Sequence, residues 1–95
     1  MNAQNKAYLD ESRSIYDWLL QTVDSKSYAF TSIINKFDIE RLHRILKEEF
    51  VPSYPAPVPD THDVMGKYTF ILDVYRQYDI YERNSMAQET ITITM

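Results

Sequence analysis

Apolar residues recur at helical spacing near the start of the chain. Over residues 5–23 they form a stripe along one face of a helix, with Ser12 filling a one-turn gap. Such a stripe predicts an amphipathic helix, and the polar run over residues 24–27 predicts its end. The apolar members of the stripe are Tyr8, Leu9, Ile15, Tyr16, Leu19, Leu20 and Val23.

Two shorter helices are predicted next. The first covers residues 28–36 and the second covers residues 39–50. Asp38 stands where it can cap the first turn of the later helix, and Phe37 can pack on Leu42 as a hydrophobic staple. These three helices predict a helical part over the first half of the chain, residues 1–50.

Four prolines then fall within eight residues and predict a connector over residues 51–66. Proline lacks an amide donor and favours an extended course, so the preceding helix cannot continue. The connector is too short to separate two domains, and we expect Tyr54 and Val58 to lie back on the body of the protein. The prolines are Pro52, Pro55, Pro57 and Pro59.

The segment 67–82 alternates between apolar and polar positions and predicts a β-strand. A helical interpretation leaves Phe70 and Val74 off a stripe set by Tyr68, Ile71, Leu72 and Tyr75, and the aromatic and β-branched content also favours a strand. The apolar side of this predicted strand comprises Tyr68, Phe70, Leu72, Val74, Tyr78 and Ile80.

A turn over residues 83–87 and a second strand over 89–95 complete a predicted antiparallel hairpin, with Ile91, Ile93 and Met95 facing inward. The predicted fold class is therefore α+β: two or three helices packed on a C-terminal hairpin or small sheet, in a single domain over residues 1–95. Its parts are the helical half 1–50, the connector 51–66 and the hairpin 67–95.

Composition and charge exclude several functions. The chain has no cysteine, which removes disulfides, zinc-thiolate sites and thiol nucleophiles. Its formal net charge of −4 disfavours nucleic acids and anionic membranes as partners. One glycine cannot build a phosphate-binding loop, and no apolar run approaches the roughly 18 residues of a membrane span. We expect a cytoplasmic protein without a cofactor.

Neither histidine predicts a catalytic or metal site. His62 stands between Asp60 and Asp63, but this is also an ordinary turn sequence, which we favour. Glu40 and His43 have the spacing used in carboxylate-bridged di-iron bundles, yet such a site needs a second copy of the motif. We therefore expect neither an enzyme nor a bound metal.

An alternative hypothesis is a winged-helix DNA-binding regulator. Two helices followed by a hairpin have the element order of a helix-turn-helix with a β wing. Positive residues concentrate on the predicted third helix, although acidic residues share the segment. The candidate DNA-binding residues are Arg41, Arg44 and Lys47, with Arg83 at the tip of the wing.

The tyrosines suggest a surface for another protein. The chain has eight, four of them on the first predicted strand. Tyrosine is enriched at protein interfaces, and its alternation with acids suits a basic partner. The alternative is that these rings pair across the hairpin and bind nothing. The predicted partner-binding residues are Asp73, Tyr75, Gln77, Asp79 and Tyr81.

The last predicted strand has no proline or lysine to protect its edge. It is therefore either the inner strand of a larger sheet or a strand that pairs with another chain, in a homo-oligomer or by addition to a target. The leading hypothesis is a non-enzymatic protein-binding module. In composition the chain is similar to small phage-encoded inhibitors and toxin-immunity proteins that act on a host or defence protein in the host cytoplasm, although no motif is shared. A second alternative is a structural or adaptor subunit of a virion.

Overall fold

A computed structural model describes residues 1–22 and 26–94, together with their side chains except those of Thr22 and residues 87–94. These residues are helical with short connections, and they contain no β-strand. The predicted α+β class is therefore wrong. The elements are α1 (Ala3–Thr22), α2 (Tyr28–Ile34), α3 (Ile39–Ile45), a π-helical turn (Leu46–Phe50) that continues α3, and α4 (Val64–Thr94).

The first two helices confirm the apolar pattern, with one exception. Leu9 and Leu19 of α1 are buried, but the neighbouring Leu20 is 50% exposed. Val23 and the polar residues at positions 24 and 25 lie outside the described residues. Ser27 begins α2, because its hydroxyl oxygen accepts a hydrogen bond from the Phe30 amide.

The third predicted helix is also confirmed, as α3 and the π-helical turn together cover residues 39–50. The Asp38 carboxylate accepts a hydrogen bond from the Arg41 amide at the start of α3. Phe37 and Leu42 are both buried, as a hydrophobic staple requires. The Asp38 cap therefore fixes the residue at which this helix begins.

The connector is shorter than predicted and ends at residue 63. Tyr54 lies on the body of the protein, and its hydroxyl donates a hydrogen bond to Asp73 at 3.2 Å, whereas Val58 stays partly exposed. Asp63 begins α4 by accepting a hydrogen bond from the Gly66 amide at 2.8 Å. A side chain at position 66 would overlap the Asp63 carboxylate, so glycine suits this first turn.

The predicted hairpin is a single helix. α4 runs through the segment 67–82, through the predicted turn 83–87 and on to Thr94. Because the backbone forms its hydrogen bonds within the helix, this segment offers no strand edge, and self-association through a C-terminal strand is unsupported. The expected inward orientation of Ile91 and Ile93 concerns side chains outside the described set, as does Met95.

The core lies where the helices meet. α1 contacts α4 through side chains, α2 packs on both of them, and α3 with its π-helical turn packs on α4. None of the helices in the described ranges is both long enough and apolar enough to cross a membrane. The buried core comprises Leu9, Leu19, Phe30, Ile33, Ile34, Phe37, Leu42, Ile45, Leu46, Phe70, Ile71, Val74, Tyr75 and Tyr78.

Candidate functional site: an acidic seam between the first and last helices

The five predicted partner-binding residues lie on α4 but do not share a face. Residues two apart on a strand point to the same side, whereas on a helix they are turned by about 200° from one another. Tyr75 is buried, and the other four are partly exposed. The structure therefore does not bring Asp73, Tyr75, Gln77, Asp79 and Tyr81 together as one surface.

Tyr75 belongs to the core. Its side chain is 0% exposed, its hydroxyl donates a hydrogen bond to the Leu9 carbonyl at 3.0 Å, and its ring stacks on Tyr16 at 4.3 Å between centroids. Burial raises the pKa of the Tyr75 phenol well above its ordinary value, and burial also raises the pKa of Tyr16. The prediction that Tyr75 faces outward is wrong.

Two of the other predicted residues, Tyr81 and Asp73, have partners within the protein. The Tyr81 ring lies 5.4 Å from the Phe50 ring, and its hydroxyl accepts a hydrogen bond from the N-terminal ammonium. Asp73 accepts hydrogen bonds from Tyr54 and Arg76. Gln77 lines a shallow hollow beside Phe50. Asp79 is the one predicted residue that belongs to a cluster of charged side chains between α1 and α4, where it pairs with Arg13.

Arg13 of α1 lies at the centre of that cluster. Its guanidinium carbon is 5.0 Å from the centre of the Tyr75 ring and 5.7 Å from that of Tyr78. Its Nη2 atom lies 2.5 Å from Asp79 and 3.9 Å from Glu82 on α4. The hydrogen bond to Asp79 raises the pKa of Arg13. One cation therefore joins the two helices over buried rings.

A second set of bonds lies one turn toward the start of α1. The Tyr78 hydroxyl donates to Asp10 at 2.7 Å, and the Lys6 ammonium donates to the same carboxylate at 2.9 Å. The bonds from Lys6 and Tyr78 lower the pKa of Asp10, and the bond to Asp10 raises the pKa of Lys6. Burial, followed by the bond to Asp10, raises the pKa of Tyr78 to about 12.

Together these residues form a surface that we call the acidic seam. It includes the exposed Asp17. The negative charge of Asp17 adds to the effect of the Asp79 bond in raising the pKa of Arg13, and to the effect of burial in raising the pKa of Tyr16. Four carboxylates face two cations, so the seam carries a net charge of −2. The buried rings of Tyr75 and Tyr78 lie beneath the Arg13 guanidinium. The acidic seam comprises Lys6, Asp10, Arg13, Asp17, Asp79 and Glu82.

Of this set, only Asp79 is among the residues predicted from the sequence. Asp10, Arg13 and Asp17 lie off the apolar stripe of the first helix, which by itself indicates no more than a solvated face. A usable signal exists, because Lys6, Asp10, Arg13 and Asp17 are spaced four, three and four residues apart and therefore share a helix face. What no local spacing reveals is that this face meets Asp79.

The candidate DNA-binding residues lie on two different elements, three of them on α3 and the π-helical turn and the fourth on α4. The Arg41 guanidinium stacks on the Tyr8 ring at 4.1 Å, with its Nε atom buried and without a hydrogen-bond partner. Arg44 and Lys47 are exposed on α3 and the turn after it, whereas Arg83 is exposed on α4. Within the described ranges there is no β wing, so the winged-helix alternative loses the element that carried Arg83.

Both histidines have structural contacts. The His43 Nε2 atom lies 3.0 Å from the Ala56 carbonyl oxygen, and its ring packs near Phe70. The Asp60 carboxylate accepts a hydrogen bond from the His62 amide, as in an ordinary turn. Among the residues that the structure describes, no three His, Asp or Glu side chains are grouped to hold a metal.

Comparison with protein-family models, with curated proteins and with solved structures finds no match. The role of the acidic seam is therefore inferred from its own geometry and charge.

Proposed function

We propose that the protein is a non-enzymatic protein-binding module of inhibitor or immunity type, and that its acidic seam docks on a basic surface of a host or defence protein. The observation that carries this proposal is the pair of helices that presents four carboxylates against two cations. Complementary charge gives a protein interface specificity and a faster association rate. A partner with clustered Lys and Arg suits this surface.

The seam is also held in place before any partner arrives. Arg13 fixes Asp79, while Lys6 and Tyr78 fix Asp10. Side chains that are already ordered lose less entropy on binding. Asp17 and Glu82 remain more loosely held at the rim of the seam, where Glu82 is 3.9 Å from Arg13. These two carboxylates are the natural test positions.

The tyrosine part of the original hypothesis is not retained in this proposal. Tyr75 and Tyr78 are buried, so they support the seam from below and do not offer rings to a partner. The proposed location remains the cytoplasm, or the host cytoplasm if the protein is viral, because a chain without cysteine gains no disulfide from an oxidising compartment.

The test compares two variants with the same change in charge. Asp17→Asn with Glu82→Gln removes two charges from the seam, and Glu11→Gln with Glu48→Gln removes two exposed charges elsewhere. Each tagged protein is incubated with a bacterial lysate at low and at high salt, and retained proteins are quantified by mass spectrometry. We expect a protein that wild type and the control variant retain, and that the seam variant loses at least about tenfold, as about 1.4 kcal/mol of binding energy implies.

Retention should also fall as salt rises, because screening weakens the interaction between exposed charges. Circular dichroism melting curves verify that both variants fold. If wild type, seam variant and control variant retain the same proteins in equal amounts, the acidic seam is not the docking surface.

A further inference from the structure

Lys67 is the one charged side chain that is buried in the part of the chain with described side chains, at 6% exposure. Its ammonium donates hydrogen bonds to the Asn35 side-chain oxygen at 2.7 Å and to the Thr61 carbonyl at 2.9 Å. Both acceptors are neutral. The ion pairs found among the described residues do not include Lys67.

The Lys67 ammonium has one unused hydrogen-bond donor and no anionic partner among the described residues. An ammonium group has three donors, and two are used here. A buried charge is costly unless an opposite charge pairs with it. The two bonds explain how Lys67 ties α4 to the end of α2 and to the connector. They do not supply the anion that a buried cation calls for.

Lys67 lines an open cavity of about 370 Å³ between the connector and the start of α3. Small-molecule sites in proteins typically have about 300–1,000 Å³, so this cavity suits a small ligand. Its lining has three parts: an apolar wall, the polar group around Lys67, and two carboxylates. The apolar wall consists of Phe37, Ile39, Val58 and Pro59, and the carboxylates are Asp38 and Glu40.

The two carboxylates restrict the charge of the ligand. Asp38 uses one oxygen to cap α3, which leaves the other available, and Glu40 is exposed. A ligand with only an anionic group would meet repulsion from both acids. A ligand with only a cationic group would leave Lys67 unpaired. A zwitterion with an apolar body satisfies the lysine, the acids and the apolar wall together.

We propose that this cavity binds a free α-amino acid with an apolar side chain. The ligand carboxylate pairs with Lys67, the ligand ammonium faces Asp38 and Glu40, and the side chain lies on the apolar wall. The site is made by α3, α4 and the connector, and none of its lining residues belongs to the acidic seam. The inference is therefore independent of the proposed function.

The test compares L-leucine, which meets all three requirements, with three probes that each lack one of them. L-leucine carries both charges, N-acetyl-leucine only the negative one, leucinamide only the positive one, and glycine lacks the apolar side chain. Each is titrated into the ¹⁵N-labelled full-length chain, and amide signals are followed by NMR. We expect leucine to shift the amide signals of residues 35–40, Thr61 and Lys67 saturably, and the other three probes to bind at least about tenfold more weakly.

Two variants test the two charged ends of the ligand. Glu40→Gln changes an exposed side chain. We expect it to weaken leucine binding several-fold, and therefore to reduce the difference in affinity between leucine and N-acetyl-leucine. Lys67→Gln keeps an amide donor for Asn35 or Thr61 but removes the charge, and we expect it to abolish binding. Melting curves show whether Lys67→Gln folds. If it does not fold, the leucine affinity of Glu40→Gln tests the proposal on its own.

The proposal is overturned if leucine gives no saturable shift at these residues. It is equally overturned if leucinamide, N-acetyl-leucine or glycine binds as tightly as leucine, or if Glu40→Gln leaves all affinities unchanged.

Discussion

Neighbouring residues of one type have opposite environments in this protein. Leu19 is 2% exposed and Leu20 is 50% exposed, although both were predicted to face the core. Tyr28 is 90% exposed, whereas Tyr75 and Tyr78 are buried and bonded to α1. A count of eight tyrosines therefore says little about a binding surface, because the position of each ring on its helix decides whether it is available.

The buried phenols predict a loss of stability in alkali. Folding raises the pKa of Tyr78 from 10.0 to about 12, and burial raises that of Tyr75 further. A raised phenol pKa means that its stabilising contribution is complete below about pH 10 and is lost as pH rises through the folded value. We expect melting temperatures that are steady in mildly alkaline buffer and fall above about pH 10, measured by circular dichroism.

Tyr78→Phe should reduce this alkaline loss. It should also lower the free energy of unfolding near neutral pH by about 1–3 kcal/mol, because the hydrogen bond to the Asp10 carboxylate is removed. Tyr28→Phe is the matched control, since that ring is in water in both states. An alkaline transition that is the same in wild type and Tyr78→Phe would contradict this account.

At the scale of the elements, α4 shows why one pattern was misinterpreted. The segment 67–82 fits an alternation of period two, but it also fits a helical stripe. The helical stripe considered for this segment consists of Tyr68, Ile71, Leu72 and Tyr75, of which Ile71 and Tyr75 are buried while Tyr68 and Leu72 are half-buried. Phe70 and Val74, which that stripe omits, are buried as well, so the buried face is centred to one side of it. Length favours the helix, since sixteen residues without a turn are about three times a typical strand. The stripe that is buried comprises Lys67, Phe70, Ile71, Val74, Tyr75 and Tyr78.

Substitution at Arg76 distinguishes a helix from a strand. Its side chain is 65% exposed in the middle of α4, so intrinsic preference dominates there. Arg76→Ala should be more stable than Arg76→Thr by about 0.5 kcal/mol if this segment is helical. A strand would reverse the order. Both variants lose the same ion pair with Asp73, so their difference in urea unfolding isolates the backbone preference.

The short helices were predictable because their determinants are local. Ser27 and Asp38 accept hydrogen bonds from amides three residues later, and Phe37 and Leu42 are both buried at the start of α3. The prolines of the connector act on their own backbone. Such interactions are visible in a sequence window of a few residues.

At the scale of the whole molecule, the first and last helices are joined by Arg13. Its guanidinium contacts the rings of Tyr16, Tyr75 and Tyr78, and it pairs with Asp79. The candidate site depends on this long-range contact, which is why neither Arg13 nor the carboxylates beside it were predicted from the sequence. Asp79 was predicted only as part of a strand face that α4 does not form. Pairing across 66 residues leaves no trace in local spacing.

A double-mutant cycle measures this link. We expect Arg13→Met and Asp79→Asn to show a coupling of about 0.5–1 kcal/mol in urea unfolding, a modest value because both side chains are partly exposed to solvent. The comparison cycle is Arg76 with Asp73, an ion pair within α4, for which about 0.2–0.5 kcal/mol is expected. Zero coupling between Arg13 and Asp79 would show that the ion pair does not hold α1 on α4.

The sequence by itself determined the three early helices, the Asp38 cap, the proline connector, the acidic balance and the absence of thiol chemistry. Each of these follows from composition or from residues within a few positions of one another. Only the tertiary structure decided that the last third is a helix with Tyr75 inside, that Arg13 meets Asp79, and that Lys67 lies buried beside a cavity. The physical reason is that burial and charge pairing depend on which distant faces pack together, and a sequence pattern that suits two secondary structures leaves that choice to packing.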